Sequence, residues 1–397
     1  MPSFPSADTP AALDRYREKW REAPRGSDTD GRVFSSDLLA LAEDAFLAAW
    51  DGMAARRYSG EIGWLGAVYG DTFRDRRILE LGSGLGFDGI RFAQLGAAWT
   101  FADIVPDNLA VIRRVADLKG LTRVAFHLIG DDLSFAALPA DFDAIWVFGS
   151  IHHVPFEIAR REALAALEHL KPGGRWMELV YPRERWLREG ARSFDKWGRL
   201  TDGERTPWVE WYDIEKVRRR LFPAPLRTLL DFDLCSSTYR WLDLQYVAGR
   251  PFRLADFDLA ALSRSRSLLA EAVALHNGAS RRPAGGHDWS FVCSARLFDW
   301  AAIVDLSEPL RALGPADGWA VDLEIAVSHG TIGVGLTDAA GAYIPAAEAV
   351  IDTGRDTRLV TLRAVGTGAP SRLVFRNLHA ELAGQFAVHS AILRVAN

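Results

Sequence analysis

The sequence predicts an α/β protein with a parallel sheet, followed by a second domain built of short strands. Between Arg77 and Tyr181, apolar runs such as RILEL, AWTFAD and FDAIWVF alternate with helix-length amphipathic segments. Beyond Asp288 the chain changes to strand-like runs separated by Gly, Pro, Asp and Asn. Strands that alternate with helices indicate right-handed βαβ crossovers. Closely spaced short strands indicate a β-sandwich, which takes about 100 residues.

The order of these patterns predicts four regions and one insertion. Before the sheet, apolar residues from Leu38 to Trp50 fall on one helical stripe. After Tyr181 the alternation is interrupted, and two further strand-like runs complete the sheet near Val247. The predicted regions are an N-terminal helical region (1–72), the α/β domain (73–250) with an insertion (183–212), a helix with a linker (251–287, the helix at about 256–276) and the β-sandwich (288–397).

Composition and charge exclude several classes of protein. The 397 residues suffice for two or three domains with full cores. Lys and Arg number 47 against 52 Asp and Glu, so no basic footprint for nucleic acid or an anionic membrane is expected. The two cysteines form no C-x-x-C pair, and we predict no metal site. Since no signal peptide or long apolar run is found, we expect a cytoplasmic protein.

A glycine-rich turn follows the first strand of the predicted sheet. Gly82, Gly84 and Gly86 open a helix after RILEL, and Asp103 ends the next strand 21 residues after Gly82. A carboxylate there can accept hydrogen bonds from a ribose diol, as in dinucleotide-binding proteins. Glu80 would repel a pyrophosphate but suits a cationic ligand. This charge favours S-adenosylmethionine over NAD as the ligand. The alternative is that the glycine turn only connects the strand to the helix and binds no ligand.

Residues from about 55 to 248 resemble the class I S-adenosylmethionine-dependent methyltransferases. The resemblance implies a Rossmann-like seven-stranded sheet whose last strand is antiparallel, with S-adenosylmethionine as cofactor. Five segments carry it, in the usual order: ELGSGLG (80–86), FADIVPDNL (101–109), LIGDDLSF (128–135), VFGSIHHVP (147–155) and LKPGGRWMELVYP (170–182).

The resemblance also implies the cofactor-binding residues. Glu80 would lie near the methionine ammonium, and Asp103 would hold the ribose hydroxyls. Asp131 would receive the adenine amino group, with Asp132 and Leu133 beside the ring. The full predicted set is Glu80, Gly82, Ser83, Gly84, Gly86, Asp103, Ile104, Asp131, Asp132, Leu133 and Gly149.

The predicted catalytic residues are His153, His152 and Tyr181. Methyl transfer is an in-line displacement, so holding the acceptor in position is a large part of catalysis. An alcohol acceptor must also lose a proton, and the two histidines follow the fourth strand beside the cofactor. Three alternatives stay open: packing histidines, a base from Tyr181 or an insertion carboxylate (Asp195, Glu204 or Glu210), and no dedicated base.

The insertion is rich in tryptophan, with four of the 14 tryptophans of the chain. Flat aromatic faces pack against sugars and ring systems, and a segment after the fifth strand can act as a lid. We therefore predict that the acceptor is bound by Arg183, Trp197, Trp208 and Trp211. The alternative is that these tryptophans form a small satellite core.

The sequence thus favours a methyltransferase that acts on a hydroxyl of a sugar or another small polar metabolite. An amine acceptor, such as an amino sugar, is the first alternative. A non-catalytic binding or scaffold protein derived from a methyltransferase is the second. We expect a small-molecule or carbohydrate partner and neither nucleic acid nor membrane, while a homo-oligomer is left open.

Overall fold

The structure is a computed structural model that describes residues 9–25, 31–60, 62–256, 264–269, 271–281, 289–354, 357–365, 369–379 and 381–396. It divides into two compact units. The first comprises 1–221, 231–244 and 250–252, and the second 222–230, 245–249 and 253–397. In the described part of the chain, no helix has the length and apolar character needed to cross a bilayer.

The first 246 residues contain both helices and strands. The order is α1 (Thr9–Trp20), β1 (Glu22–Pro24), β2 (Arg32–Phe34), α2 (Ser35–Leu39), α3 (Glu43–Ser59), α4 (Leu65–Phe73), β3 (Arg77–Leu81), α5 (Phe87–Gln94), β4 (Ala98–Asp103), α6 (Pro106–Leu118), β5 (Val124–Leu128), β6 (Phe142–Phe148), α7 (Phe156–Leu167), β7 (Leu170–Val180), α8 (Arg183–Arg188), α9 (Phe194–Asp202), α10 (Ile214–Leu221), β8 (Leu226–Leu234) and β9 (Tyr239–Tyr246). The sequence predicts a helical N-terminal region. The structure differs, because β1 and β2 also form an antiparallel ribbon there.

The predicted parallel sheet is present. Its strand order is β5-β4-β3-β6-β7-β9-β8. The pairs β3–β4, β3–β6, β4–β5 and β6–β7 are parallel. The carboxyl ends of β3, β4 and β6 therefore meet at one edge, where open α/β sheets bind ligands. The antiparallel direction of the last strand stays a prediction.

Aromatic side chains fill the core beside β3. Trp146 on β6 is completely buried, and its ring lies 5.4 Å from Phe92 and 5.0 Å from Trp241, measured between ring centres. Phe92 in turn stacks on Trp99 at 5.1 Å. Large rings bury much apolar area, and offset or edge contacts of this kind add to that stabilisation. This core fixes α5 against the strands that carry the glycine turn.

The second unit contains two antiparallel sheets packed face to face. One has the order β12-β13-β20-β15-β18, with β10 also paired to β20, and the other is β11-β14-β19-β16-β17. Phe291 and Phe386 of the first sheet contact Phe375 of the second, with ring centres 6.3 and 5.2 Å apart. The elements are β10 (Ser265–Ser267), β11 (Val273–Leu275), β12 (Ser280–Arg281), β13 (Trp289–Val292), β14 (Trp300–Asp305), α11 (Ser307–Leu313), β15 (Gly318–His329), β16 (Thr331–Thr337), β17 (Tyr343–Asp352), β18 (Arg358–Val365), β19 (Arg372–Asn377) and β20 (Gln385–Val395).

The predicted β-sandwich is confirmed as an architecture, but the helix predicted at about 256–276 is wrong over its described residues. Strands β10 and β11 occupy that segment and pair with β20 and β14. Sheet pairing therefore overrides the local helical pattern there. The predicted linker at 281–287 lies almost wholly outside the described residues, and the domain boundaries themselves stay a proposal.

The close approach of α5 to the sheet generates a stability prediction. A Cβ on Gly89 would lie 2.3 Å from ring atoms of Phe101 and Trp99, whereas one on Gly52 of α3 would have 3.9 Å to its nearest neighbour. We expect Gly89→Ala to lower the free energy of unfolding by about 1–3 kcal/mol through overpacking. The control Gly52→Ala should be neutral or stabilising by up to about 1 kcal/mol. Urea denaturation followed by tryptophan fluorescence measures both, and equal stability of the two variants would refute the close packing.

Candidate functional site

A cavity of about 680 Å³ opens at the carboxyl ends of β3, β4 and β6. The glycine turn contributes Gly82, Ser83 and Gly84 to its wall. The end of β4 contributes Asp103 and Ile104, and the loop after β6 contributes residues 149–151, 153 and 154. The sheet topology thus brings three separate predicted segments to one place.

Gly84 and Gly86 have different roles in the turn. Gly84 has φ +55°, lines the cavity, and a Cβ there would meet no atom within 4 Å. Gly86 has φ +73°, and its Cβ would lie 2.8 Å from Ile112 of α6. Gly84 therefore leaves room for a ligand against the backbone, as predicted for glycine at such a turn. Gly86 is needed for packing and is not among the described residues that line the cavity, which corrects its predicted place.

Asp103 is held rigidly at the cavity wall. Its carboxylate accepts hydrogen bonds from the backbone N–H of Gly84 (2.9 Å) and of Val105 (2.8 Å), and the Asn108 amide lies 3.4 Å from both oxygens. Burial raises the pKa of Asp103 to about 6, although these hydrogen bonds favour the charged form. At neutral pH the cavity therefore contains a fixed, mostly ionised carboxylate.

Charges of both signs lie beside the glycine turn. Glu80 is buried and accepts a hydrogen bond from the Trp99 indole at 2.8 Å. Burial, and after it the charge of Asp88, raises the pKa of Glu80 well above its ordinary value. Arg57 of α3 donates to both Asp88 oxygens at 3.1 and 2.6 Å. All of these side chains except Trp99 line the cavity.

The acids at the end of β5 lie elsewhere. Asp131 is more than half exposed, with a carboxylate oxygen 2.5 Å from the Arg17 guanidinium of α1. Asp132 accepts from the Ser134 N–H at 3.1 Å, and Leu133 is buried. None of the three is among the described residues that line the cavity, whereas Ile129 is. The adenine-contacting roles expected of them are therefore not supported by this arrangement.

His153 lines the cavity with both ring nitrogens facing oxygen acceptors. Its Nδ1 lies 3.1 Å from the Ser150 carbonyl oxygen, and its Nε2 lies 3.3 Å from Asp202 Oδ2. The Tyr181 hydroxyl donates to the other Asp202 oxygen at 3.3 Å. A neutral imidazole that donates from Nδ1 to the Ser150 carbonyl oxygen keeps its lone pair on Nε2, the nitrogen that faces Asp202. The general-base role of His153 therefore stays a prediction.

His152 packs against two residues of the cavity wall, His153 and Tyr181. Its ring centre lies 4.2 Å from that of His153 and 4.5 Å from that of Tyr181, and its nitrogens have no hydrogen-bond partner among the described residues. Burial, reinforced by the neighbouring His153, lowers the pKa of His152 well below its ordinary value. His152 is therefore a neutral packing residue here, the alternative left open above.

Asp202 was not predicted, yet it organises this wall from α9. Arg32 donates to it at 2.9 Å and the Thr201 hydroxyl at 2.8 Å. Burial alone would raise the pKa of Asp202, but its interactions with His153 and with the Arg32 guanidinium hold it well below its usual range. Asp202 is thus a permanent buried anion that orients both His153 and Tyr181.

Comparisons with known proteins agree with this geometry. Residues 78–174 match a family described as a methyltransferase domain. A ubiquinone biosynthesis O-methyltransferase of Xanthomonas campestris pv. campestris is 34% identical over 98 residues, which are 25% of this chain and 40% of that protein. The enzyme of the same name from Cereibacter sphaeroides is 35% identical over 163 residues, covering 37% and 64% respectively. The chain thus spans less than two thirds of the length of these relatives.

Residues 78–174 of the chain thus carry a methyltransferase domain. Among solved structures, magnesium protoporphyrin IX methyltransferase from Synechocystis PCC 6803 aligns with a TM-score of 0.37 and 18% identity, over 59% of this chain and 94% of that one. A similarity of this size establishes neither a substrate nor an activity. Among the described residues, no group of three or more His, Cys, Asp or Glu side chains is placed to hold a metal ion.

The segment predicted to be an insertion, 183–212, contributes to a small satellite core. Trp197 is completely buried, donates to Glu189 at 2.7 Å and packs with Tyr181 and Val209. Trp208 donates to Glu210 at 3.2 Å. The predicted acceptor-binding residues, Arg183, Trp197, Trp208 and Trp211, are not among the described residues on the cavity wall. This corrects the prediction, because an enclosed ring such as that of Trp197 has no face left for a ligand.

Other residues that line the cavity were not predicted from the sequence. Tyr16 and Trp20, one turn apart on α1, contribute aromatic rings, and Trp20 lies 4.4 Å from His153 between ring centres. Glu162 of α7 contributes a buried carboxyl group, and Tyr239 contributes a ring from the start of β9. Glu162 was detectable in the sequence, since it falls on the apolar stripe of a predicted helix.

The satellite core makes a prediction about stability. Trp197→Ala should lower the free energy of unfolding by about 3–5 kcal/mol, because it removes a fully enclosed ring. Trp208→Ala should cost clearly less, because Trp208 is only partly buried. Chemical denaturation compares the two variants. A Trp197→Ala protein of wild-type stability would show that the ring is not part of a packed core.

Proposed function

We propose that this protein is an S-adenosylmethionine-dependent methyltransferase that methylates a hydroxyl group of a small ring-bearing molecule. One observation carries the proposal: a single cavity joins the Gly84 backbone and the fixed Asp103 carboxylate to the His153–Asp202–Tyr181 wall. The Gly84 backbone and the Asp103 carboxylate could bind a nucleoside. The His153–Asp202–Tyr181 wall could bind a polar acceptor molecule. When bound, the cofactor supplies an electrophilic methyl group on a sulfonium.

The cavity residues fit the functional groups of this cofactor. Asp103 would accept hydrogen bonds from the ribose hydroxyls, and Gly84 leaves the space that a side chain would fill. Arg57 would face the cofactor carboxylate, while Glu80 and Asp88 would face its ammonium group. A cationic partner restores the charged form of a buried acid such as Glu80, whose pKa is otherwise raised.

The aromatic lining supports a flat acceptor. Tyr16, Trp20, Phe148, Tyr181 and Tyr239 all line the cavity. Rings of this kind exclude water and hold planar groups by stacking or edge contacts. A sugar has less support than the sequence suggested, because the tryptophans of the insertion pack elsewhere. The relatives are O-methyltransferases by name, which favours oxygen over nitrogen as the acceptor atom.

Catalysis on this wall would rest mainly on positioning. The buried anion Asp202 fixes His153 and Tyr181 in one geometry, and a fixed wall holds an acceptor oxygen in line with the methyl group. Tyr181 is the wall residue with a hydroxyl that can hydrogen-bond the acceptor.

The direct test is methyl transfer from radiolabelled S-adenosylmethionine to a panel of phenols, sugars and ring-bearing amines. We expect turnover with hydroxylated rings. Turnover with amines alone would favour the amine alternative. A protein that binds no S-adenosylhomocysteine in calorimetry would instead be a scaffold, and the proposed function would be wrong.

The two acids of the expected cofactor site are distinguishable by mutation. Asp103→Ala should weaken binding of S-adenosylhomocysteine by about 1–3 kcal/mol, because the ribose hydroxyls lose a charged acceptor. Asp131→Ala should change it little, because this side chain faces Arg17 at the surface. Isothermal titration calorimetry measures both. A large loss in Asp131→Ala with none in Asp103→Ala would reverse the two assignments.

A further inference from the structure

Two tyrosines that line the cavity share one buried cation. Tyr181 directly after β7 and Tyr239 at the start of β9 both line the cavity, and their ring centres lie 5.9 Å apart. The guanidinium carbon of Arg185 lies over both rings, 4.1 Å from the centre of the Tyr181 ring and 5.9 Å from that of Tyr239. Arg185 is buried and is not among the described residues that line the cavity. The cation therefore contacts the two rings from outside the ligand space.

Contacts with α8 and with the β8–β9 turn hold Arg185 in this position. Its Nε lies 3.1 Å from Glu189, four residues further along, and its Nη1 donates to the Thr238 carbonyl oxygen at 3.3 Å. Glu189 also accepts a hydrogen bond from the Trp197 indole at 2.7 Å, and its side chain is 27% exposed against 11% for Arg185. Solvent screens an exposed charge more than a buried one. The acid is thus shared and partly screened, while the cation is enclosed against the rings.

A third ring of the cavity has the same arrangement. Trp20 of α1 lines the cavity, with the Arg32 guanidinium carbon 5.2 Å and the Lys19 ammonium nitrogen 5.3 Å from its ring centre. Neither cation is among the cavity-lining residues in the described part of the chain. Arg32 also pairs with Asp202 at 2.9 Å, so the buried anion nearby is matched by a positive charge. As for the two tyrosines, protein cations lie against this ring and outside the ligand space.

A cation against one face of an aromatic ring changes what the opposite face binds. The faces of a ring carry negative potential, which attracts a cation. A cation that already lies on one face draws the ring electrons toward itself and lowers the negative potential of the other face. A second cation that approaches from the cavity is then repelled by the first, whereas an electron-rich ring that stacks there is attracted.

We infer that Arg185 determines which acceptor rings the cavity favours, as a positioning residue that acts through Tyr181 and Tyr239. This role rests on the proposed function and narrows its substrate class. The two tyrosines, with Arg185 against them, favour an electron-rich aromatic ring and disfavour an acceptor that carries an ammonium group. The acceptor class is therefore a neutral phenol with electron-donating substituents.

The experiment measures kcat/KM for methyl transfer from S-adenosylmethionine to three probes at neutral pH: para-methoxyphenol, para-trifluoromethylphenol and tyramine. The readout is the ratio of kcat/KM for para-methoxyphenol to that for each other probe. Comparing a ratio between variants cancels intrinsic reactivity and the fraction of active protein. Arg185→Gln should lower both ratios about 3–10-fold, because it removes the charge and keeps a donor for Thr238. Arg185→Lys keeps the charge, so its ratios should stay within about twofold of the wild type.

A second variant predicts a change of opposite sign and does not depend on the folding of the Arg185 variants. Glu189→Gln removes the carboxylate paired with Arg185, so both ratios should rise about twofold or more. The control is Arg188→Gln, because the exposed Arg188 of the same helix donates to the carbonyl oxygens of Ser236 and Ser237 at 3.1 and 3.4 Å. It therefore reports the effect of a loosened β8–β9 turn, and its ratios should equal those of the wild type.

Each contrary result has a distinct meaning. Wild-type ratios in both Arg185→Gln and Glu189→Gln would mean that Arg185 only supports the fold. An equal fall in Arg188→Gln, or a fall in Arg185→Lys as large as in Arg185→Gln, would show that the charge is not the cause. A wild type that methylates none of the three probes would refute the inferred acceptor class if it still binds S-adenosylhomocysteine in calorimetry. If it does not bind that ligand, the proposed function itself is refuted.

Discussion

The hydrogen bond from the Gly84 N–H to the Asp103 carboxylate holds the candidate site together. It ties the turn after β3 to the end of β4 at 2.9 Å, and the Val105 N–H holds the second oxygen. Gly84 can donate in this direction because its φ is +55°, a conformation that costs glycine little. The same carboxylate fixes the backbone of the glycine turn and faces the cavity. The shape of the turn and the position of a group that could bind a ligand therefore depend on one side chain.

Buried acids dominate the electrostatics of the cavity. For Asp103 and Glu162 the raised pKa means that ionisation costs stability as the pH rises, from about 3.8 to about 6 and from about 4.5 to about 7 respectively. Both carboxyl groups line the cavity, where a ligand that donates hydrogen bonds to them would offset the cost of their burial. Asp202 is the opposite case, since positive neighbours keep it ionised and it serves as a fixed internal charge.

The parallel sheet and the place of its binding edge were predictable, because strand and helix periods alternate and parallel strands end together. Asp103 was found for the same reason. The tryptophans of the insertion were misjudged, since their number says nothing about which face each ring presents, and Trp197 turned inward to a core with Tyr181. The helix predicted at 256–276 failed because pairing with β14 and β20 outweighs local pattern. Asp202 and Tyr16 reach the wall only through tertiary packing, which leaves no local signal.

The neighbours of His153 fix its orientation at the cavity wall. A histidine between a carbonyl oxygen and a buried carboxylate is held in one orientation. Such an arrangement presents a fixed polar surface to the cavity. A displacement at a sulfonium gains much from orientation, because a positioned nucleophile converts a bimolecular encounter into an effectively unimolecular step. Trp20, packed edge-on against His153, extends this rigidity to α1, so the N-terminal helix belongs to the site as much as the sheet does.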